Sequence, residues 1–108
     1  MEGRCLQVET TVGSYEDAER IAEELVGARL AACCQIVGPA TSVYRWEGVV
    51  QREQEFLILM KTHSDRVEEL KARLARGHPY EVPQVLVFEV IDGAGPYLAW
   101  ITSETGAA

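Results

Sequence analysis

A chain of 108 residues with 47% hydrophobic side chains has enough apolar material for one folded domain and too little length for two. Ten basic against 17 acidic residues give a net charge of -7, a field that repels nucleic acid and draws in cations. No apolar run approaches the ~20 residues of a membrane span. Three cysteines suit a reducing compartment better than a disulfide scaffold. With no secretory h-region at the N-terminus, the expected location is cytoplasmic.

Residues 4–12 alternate loosely and predict a first strand, broken at Gly13. Ser14 stands three residues before Asp17 with Glu16 between them, a capping-box-like start with an acidic first turn. Ala18, Ile21, Ala22, Leu25 and Ala28 recur at helical spacing, so 15–29 reads as an amphipathic helix. Residues 31–62 then form one long hairpin with arms 31–46 and 49–62 and a tip at Glu47–Gly48, where glycine supplies positive φ. Gly38–Pro39 interrupts the first arm and predicts a bulge or edge position. The run from Phe56 to Met60 is apolar without alternation, as a central strand covered on both sides requires.

Thr62 and Ser64 mark the expected start of a second helix, with Val67, Leu70 and Leu74 as its apolar stripe and Gly77 at its end. His78–Pro79–Tyr80–Glu81–Val82–Pro83 is held extended, because a residue before proline is pushed out of the α region. Residues 84–92 predict a fourth strand, Gly93–Ala94–Gly95 a turn, and Pro96 opens a short terminal helix containing Tyr97, Leu98, Trp100 and Ile101. The order is β-α-β-β-α-β plus a C-terminal helix, an α+β ferredoxin-like arrangement with both main helices on one face of an antiparallel sheet.

At ~3.3 Å per residue a 14-residue arm reaches ~46 Å. A domain of this length has a radius of gyration of only ~13 Å, about 34 Å across. The arms overhang their own body. Tyr44, Trp46, Val49 and Val50 lie at the overhanging end, so further copies of the chain are expected to cover them.

In order along the chain stand Ala31–Ala32–Cys33, Thr41–Ser42–Val43–Tyr44 with Trp46–Glu47–Gly48, Lys61–Thr62, His78–Pro79–Tyr80–Glu81–Val82–Pro83, and Tyr97–Leu98 with Trp100. Together they resemble the CutA family of divalent-cation tolerance proteins over about residues 6–101 of one domain spanning 1–108. The resemblance implies a PII-like homotrimer of ferredoxin-like subunits, a role in tolerance of copper and other divalent metals, and no firmly established enzymatic activity. The chain departs from the family pattern in two places. Ala32–Cys33–Cys34–Gln35 replaces an Ala-Cys-Val-Asn run. Thr10 and Gly77–His78 stand where some members carry a Cys and a His-His pair proposed as copper ligands.

Cys33 and Cys34, adjacent on a strand, point to opposite faces and cannot easily chelate one ion, so packing outweighs metal binding for the pair. His78, fixed by Pro79 beside Glu81, offers an imidazole suited to copper or zinc, weighed against a structural role. The metal set to test is therefore His78, Cys33 and Glu81. His63 is expected to be exposed. Lys61, Glu53, Glu55 and Glu81 are charges on or near otherwise apolar strands and must be paired, so a Lys61–carboxylate pair is expected, either at a pocket or as a structural ion pair between subunits. A pocket between subunits would then be lined by Cys33, Tyr44, Lys61, Tyr80, Glu81 and Trp100 and hold a divalent cation or a small anion, although the aromatics read first as core and interface.

No phosphate loop, nucleophile elbow, HExxH or CxxC spacing is present, so no catalytic template is expected and no cofactor is required beyond an optional copper or other divalent ion. Two other readings compete: a PII-like sensor of a small metabolite, using Lys61, and an ester hydrolase, disfavoured because asparagine is absent.

Overall fold

Backbone pairing brings four strands into one antiparallel sheet of order β2-β3-β1-β4, in a computed structural model that describes residues 3–106. The elements are β1 (Cys5–Val12), α1 (Tyr15–Gly27), β2 (Cys33–Trp46), β3 (Val49–His63), α2 (Val67–Gly77), β4 (Leu86–Glu89) and α3 (Gly95–Glu104). This is the expected ferredoxin-like order. β3 lies between β2 and β1, where its apolar run belongs.

Alternation along β3 decides the two faces. Ile58 and Met60 are fully buried and pack with Val8, Val12, Ala18, Ile21, Leu25, Leu70 and Leu74 between the sheet and α1 and α2. Each buried Leu or Ile there contributes about 1.5–3 kcal/mol. Leu57, Leu59 and Lys61 point to the opposite face, in register with Thr11, Glu9 and Gln7 of β1. Helix α3 covers one end of that second face, with Ile101 and Leu98 packed on Cys5 and Ala32. Arg29 donates to the carbonyls of Ser103 and Glu104, and Arg66 to that of Thr105, so two guanidiniums satisfy the negative end of the α3 dipole. The rest of the second face stays bare in one chain, with Val37, Leu86 and Phe88 about half exposed.

The hairpin closes as expected. Trp46 pairs with Val49 across a two-residue turn in which Glu47 and Gly48 both have positive φ (50° and 81°), the primed geometry that matches strand twist. The register slips between Val37 and Ala40, a bulge at Gly38–Pro39. A Cβ at Gly38 would stand 2.9 Å from Phe56 Cδ1 and 3.0 Å from the Glu55 carbonyl, so only glycine fits. The long axis measures 45 Å against 25 and 22 Å for the others, and the radius of gyration of 14.5 Å exceeds the ~13 Å of a compact chain of this length. The ribbon overhangs.

Four expectations need correction. The Ser14 cap holds, accepting from the Asp17 amide at 3.1 Å, but α1 ends at Gly27, and Arg29 turns the chain at φ 61°. The second helix begins at Val67 rather than at the Thr62 and Ser64 signals, since those hydroxyls serve distant partners: Thr62 Oγ1 donates to the Leu30 carbonyl and Ser64 Oγ accepts from the Arg4 amide. The fourth strand shrinks from 84–92 to Leu86–Glu89, because only that span pairs with β1. His63, expected exposed, is 4% exposed; it closes β3, and its Nδ1 accepts from the Asp65 amide.

Candidate functional site

The 78–84 segment runs from the end of α2 past the end of β1 and faces the hairpin, leaving a cleft of about 800 Å³. The ribbon contributes Ser42, Tyr44 and Trp46 from β2 and Gln51, Glu53 and Glu55 from β3. The opposing wall is Pro79, Tyr80, Glu81 and Val82. Among the described residues no lysine or arginine lines it.

Two hydrogen bonds fix this wall. Tyr80 Oη donates to Glu55 Oε2 at 2.8 Å. Glu55 is 8% exposed, and a carboxylate so buried requires a donor. Burial first, and the Glu55 carboxylate second, hold the Tyr80 phenol well above the ordinary phenol range, so it stays a donor. Glu53 likewise raises the Tyr44 phenol. Behind the cleft, His78 uses both ring nitrogens. Its Nδ1 accepts from the Tyr80 amide at 3.0 Å, and its Nε2 lies 3.0 Å from both the Thr11 carbonyl and Thr10 Oγ1. An amide can only donate and a carbonyl can only accept, so the proton sits on Nε2 and no lone pair is free for a metal. His78 is a clamp.

Burial is the largest influence on His78 and lowers its pKa below the ordinary histidine value. In the unfolded chain the ring takes up its proton near pH ~6.5. The stabilisation is therefore fully present above that pH and is lost as pH falls through it toward the lower folded value. Urea midpoints measured from pH 8 to 5 are expected to show the native protein well ahead of a His78→Gln variant at the alkaline end, with the gap narrowing below pH ~6.5. A constant gap would remove this clamp from the pH dependence.

The other expected site residues do not join the cleft. Cys33 and Tyr44 share strand β2 but lie on the order of 30 Å apart along it. Cys33 pairs in register with Lys61, and its Sγ is 3.9 Å from Tyr97 Oη; Tyr97 stacks on Trp100 at 5.6 Å. Cys33, Lys61 and Trp100 thus belong to the second sheet face near α3, while Tyr44, Tyr80 and Glu81 line the cleft. Lys61 also lacks the expected carboxylate: its Nζ donates to Gln35 Oε1 at 2.9 Å, the side chain that the pleat brings beside it. The thiols of Cys33 and Cys34 do face opposite ways, and Cys34, packed on the core, is pushed up to about 12 chiefly by burial. It is an inert thiol. The metal set His78, Cys33 and Glu81 is not assembled within one chain, and no group of three or more His, Cys, Asp or Glu side chains able to hold an ion occurs among the described residues. Glu55, expected to need a partner, finds it in Tyr80, and the threonine partners of His78 are the contributions that spacing alone did not mark.

The model of the CutA1 divalent ion tolerance protein family matches residues 6–104. The chain is 45% identical to a divalent-cation tolerance protein CutA from Thermus thermophilus, over 89% of this chain and 93% of that one. Among solved structures, CutA1 of Thermus thermophilus superposes with a TM-score of 0.91 at 43% identity, covering 94% and 99% of the two chains. The CutA of Archaeoglobus fulgidus, described as periplasmic, gives 0.90 at 32% identity, covering 94% and 98%.

Proposed function

The chain belongs to the CutA1 divalent ion tolerance family, and on that premise we propose that it acts as a cytoplasmic homotrimer holding copper or another divalent cation weakly in clefts between its copies. The observation that carries this reading is the overhanging ribbon. Trp46, Val49 and Val50 are 47%, 56% and 60% exposed together at its end, the kind of apolar surface that a further chain would cover. Covering it with sister chains places each cleft at a subunit boundary. Glu53 and Glu81 are the exposed carboxylates that the cleft offers a cation.

The family is named for tolerance of divalent cations and not for a reaction, which favours a binding module over a catalyst. No helix of the described residues is long and apolar enough to cross a membrane. Three cysteines free of disulfides favour the cytoplasm, whatever the compartment of the Archaeoglobus relative.

Sedimentation with and without Cu(II), joined to calorimetric titration, tests the reading. We expect a trimer in both conditions and a weak heat that Glu53→Gln/Glu81→Gln abolishes. A monomer at every concentration, or heats indifferent to both carboxylates, would overturn the assembly or the metal reading respectively.

A further inference from the structure

Beyond the bulge, the ribbon has two faces of opposite charge. Register and alternation place Ser42, Tyr44, Trp46, Gln51 and Glu53 on the cleft face, where the 79–82 wall adds Glu81. The reverse face carries Thr41, Arg45, Val50, Arg52 and Gln54, together with Val43, which also borders the cleft. Val43 and Val50 there are 61% and 60% exposed. Neither arginine has a carboxylate partner: the only bond of Arg45 goes to the Gly48 carbonyl of its own turn, and Arg52 has none among the described residues. Arg4, Arg20, Arg66 and Arg73 find carboxylates and Arg29 caps α3; Arg76, on α2, shares the ribbon arginines' lack of an ion pair among the described residues but stands alone, whereas Arg45 and Arg52 lie together on one face.

A ring of identical chains needs a heterologous contact, in which one patch meets a different patch on the next copy. An overhanging ribbon with an acidic, aromatic face and a basic, aliphatic reverse provides both halves. We propose that the Arg45 and Arg52 face of one chain seats on the Glu53 and Glu81 cleft of the next, so that a neighbour's guanidiniums complete the cleft. The inference rests on the homotrimer reading and adds to it the orientation of the contact. Such a contact would also keep cation binding weak, since an incoming ion must displace a guanidinium from the same carboxylates.

Charge reversal tests it. Arg45→Glu/Arg52→Glu puts like charges together, and so does Glu53→Lys/Glu81→Lys. Each should raise the concentration at which the assembly dissociates by roughly tenfold or more, with added salt narrowing the difference. The chain carrying all four substitutions restores opposite charges at every contact and should reassemble, which also excludes misfolding as the cause of the losses. Wild-type association in both reversed pairs, or a fourfold variant worse than either, overturns the proposed contact while leaving the trimer standing. A monomeric native chain removes the trimer reading itself.

Discussion

Replacing Tyr80 with phenylalanine is expected to lower the unfolding free energy by about 1–3 kcal/mol, although the substitution deletes one oxygen and no packing volume. The reason lies in Glu55. Its carboxylate is 8% exposed and accepts from the Tyr80 hydroxyl at 2.8 Å, a well-formed hydrogen bond to a buried acceptor. Without the hydroxyl the carboxylate keeps its desolvation and loses its donor, and an uncompensated buried charge is worse than no charge. Glu55→Gln retains an acceptor oxygen for the phenol and should therefore cost less. Removing both groups, as Tyr80→Phe/Glu55→Leu, should recover part of the loss. Urea midpoints of the native chain, Tyr80→Phe, Glu55→Leu and Tyr80→Phe/Glu55→Leu form a double-mutant cycle, and additive losses would show that the pair does not act as a unit. The same bond ties the 78–84 wall to the ribbon, so the Tyr80 variant should also loosen the cleft.

That partnership shows where sequence was readable and where it was not. Signals confined to a few neighbouring residues held: Ser14 with Asp17 at a helix start, Glu47–Gly48 at a two-residue turn, Gly38–Pro39 at a bulge, and opposite faces for Cys33 and Cys34. Signals that depend on distant partners misled. Thr62 and Ser64 look like helix caps, yet their hydroxyls serve Leu30 and Arg4, and nothing in the local pattern reveals this. A charge on β3 was correctly expected to need a partner, but the chain answers Glu55 with a phenol and Lys61 with Gln35. His78 stood out as a rigidly presented imidazole; its occupation by Tyr80, Thr10 and Thr11 appears only when β1 arrives beside it. Within one chain the residues expected to line a pocket between subunits divide between the cleft and the second sheet face, for a metrical reason. Residues eligible by type sat at opposite ends of a long strand, and residue type carries no distance.

The ribbon end carries the largest expected effect. Trp46→Ala should weaken each contact between copies by about 2 kcal/mol or more, the range of a buried aromatic anchor, and Val50→Asp by more still through a desolvated charge. In a closed ring the loss recurs at every contact, so assembly should fail at concentrations where the native chain is complete. The isolated subunit should hardly notice, because Trp46 and Val50 are 47% and 60% exposed and contribute little to the core built on Ile58 and Met60. Two measurements separate these effects. The melting temperature of the native protein should rise with concentration, as any oligomer stabilised by mass action requires. The Val50→Asp chain should sediment as a monomer and melt at one concentration-independent temperature. A native melting temperature unmoved by hundredfold dilution, in a sample sedimenting as monomers, would mean that the ribbon's apolar end tolerates water and has no sister chain to meet.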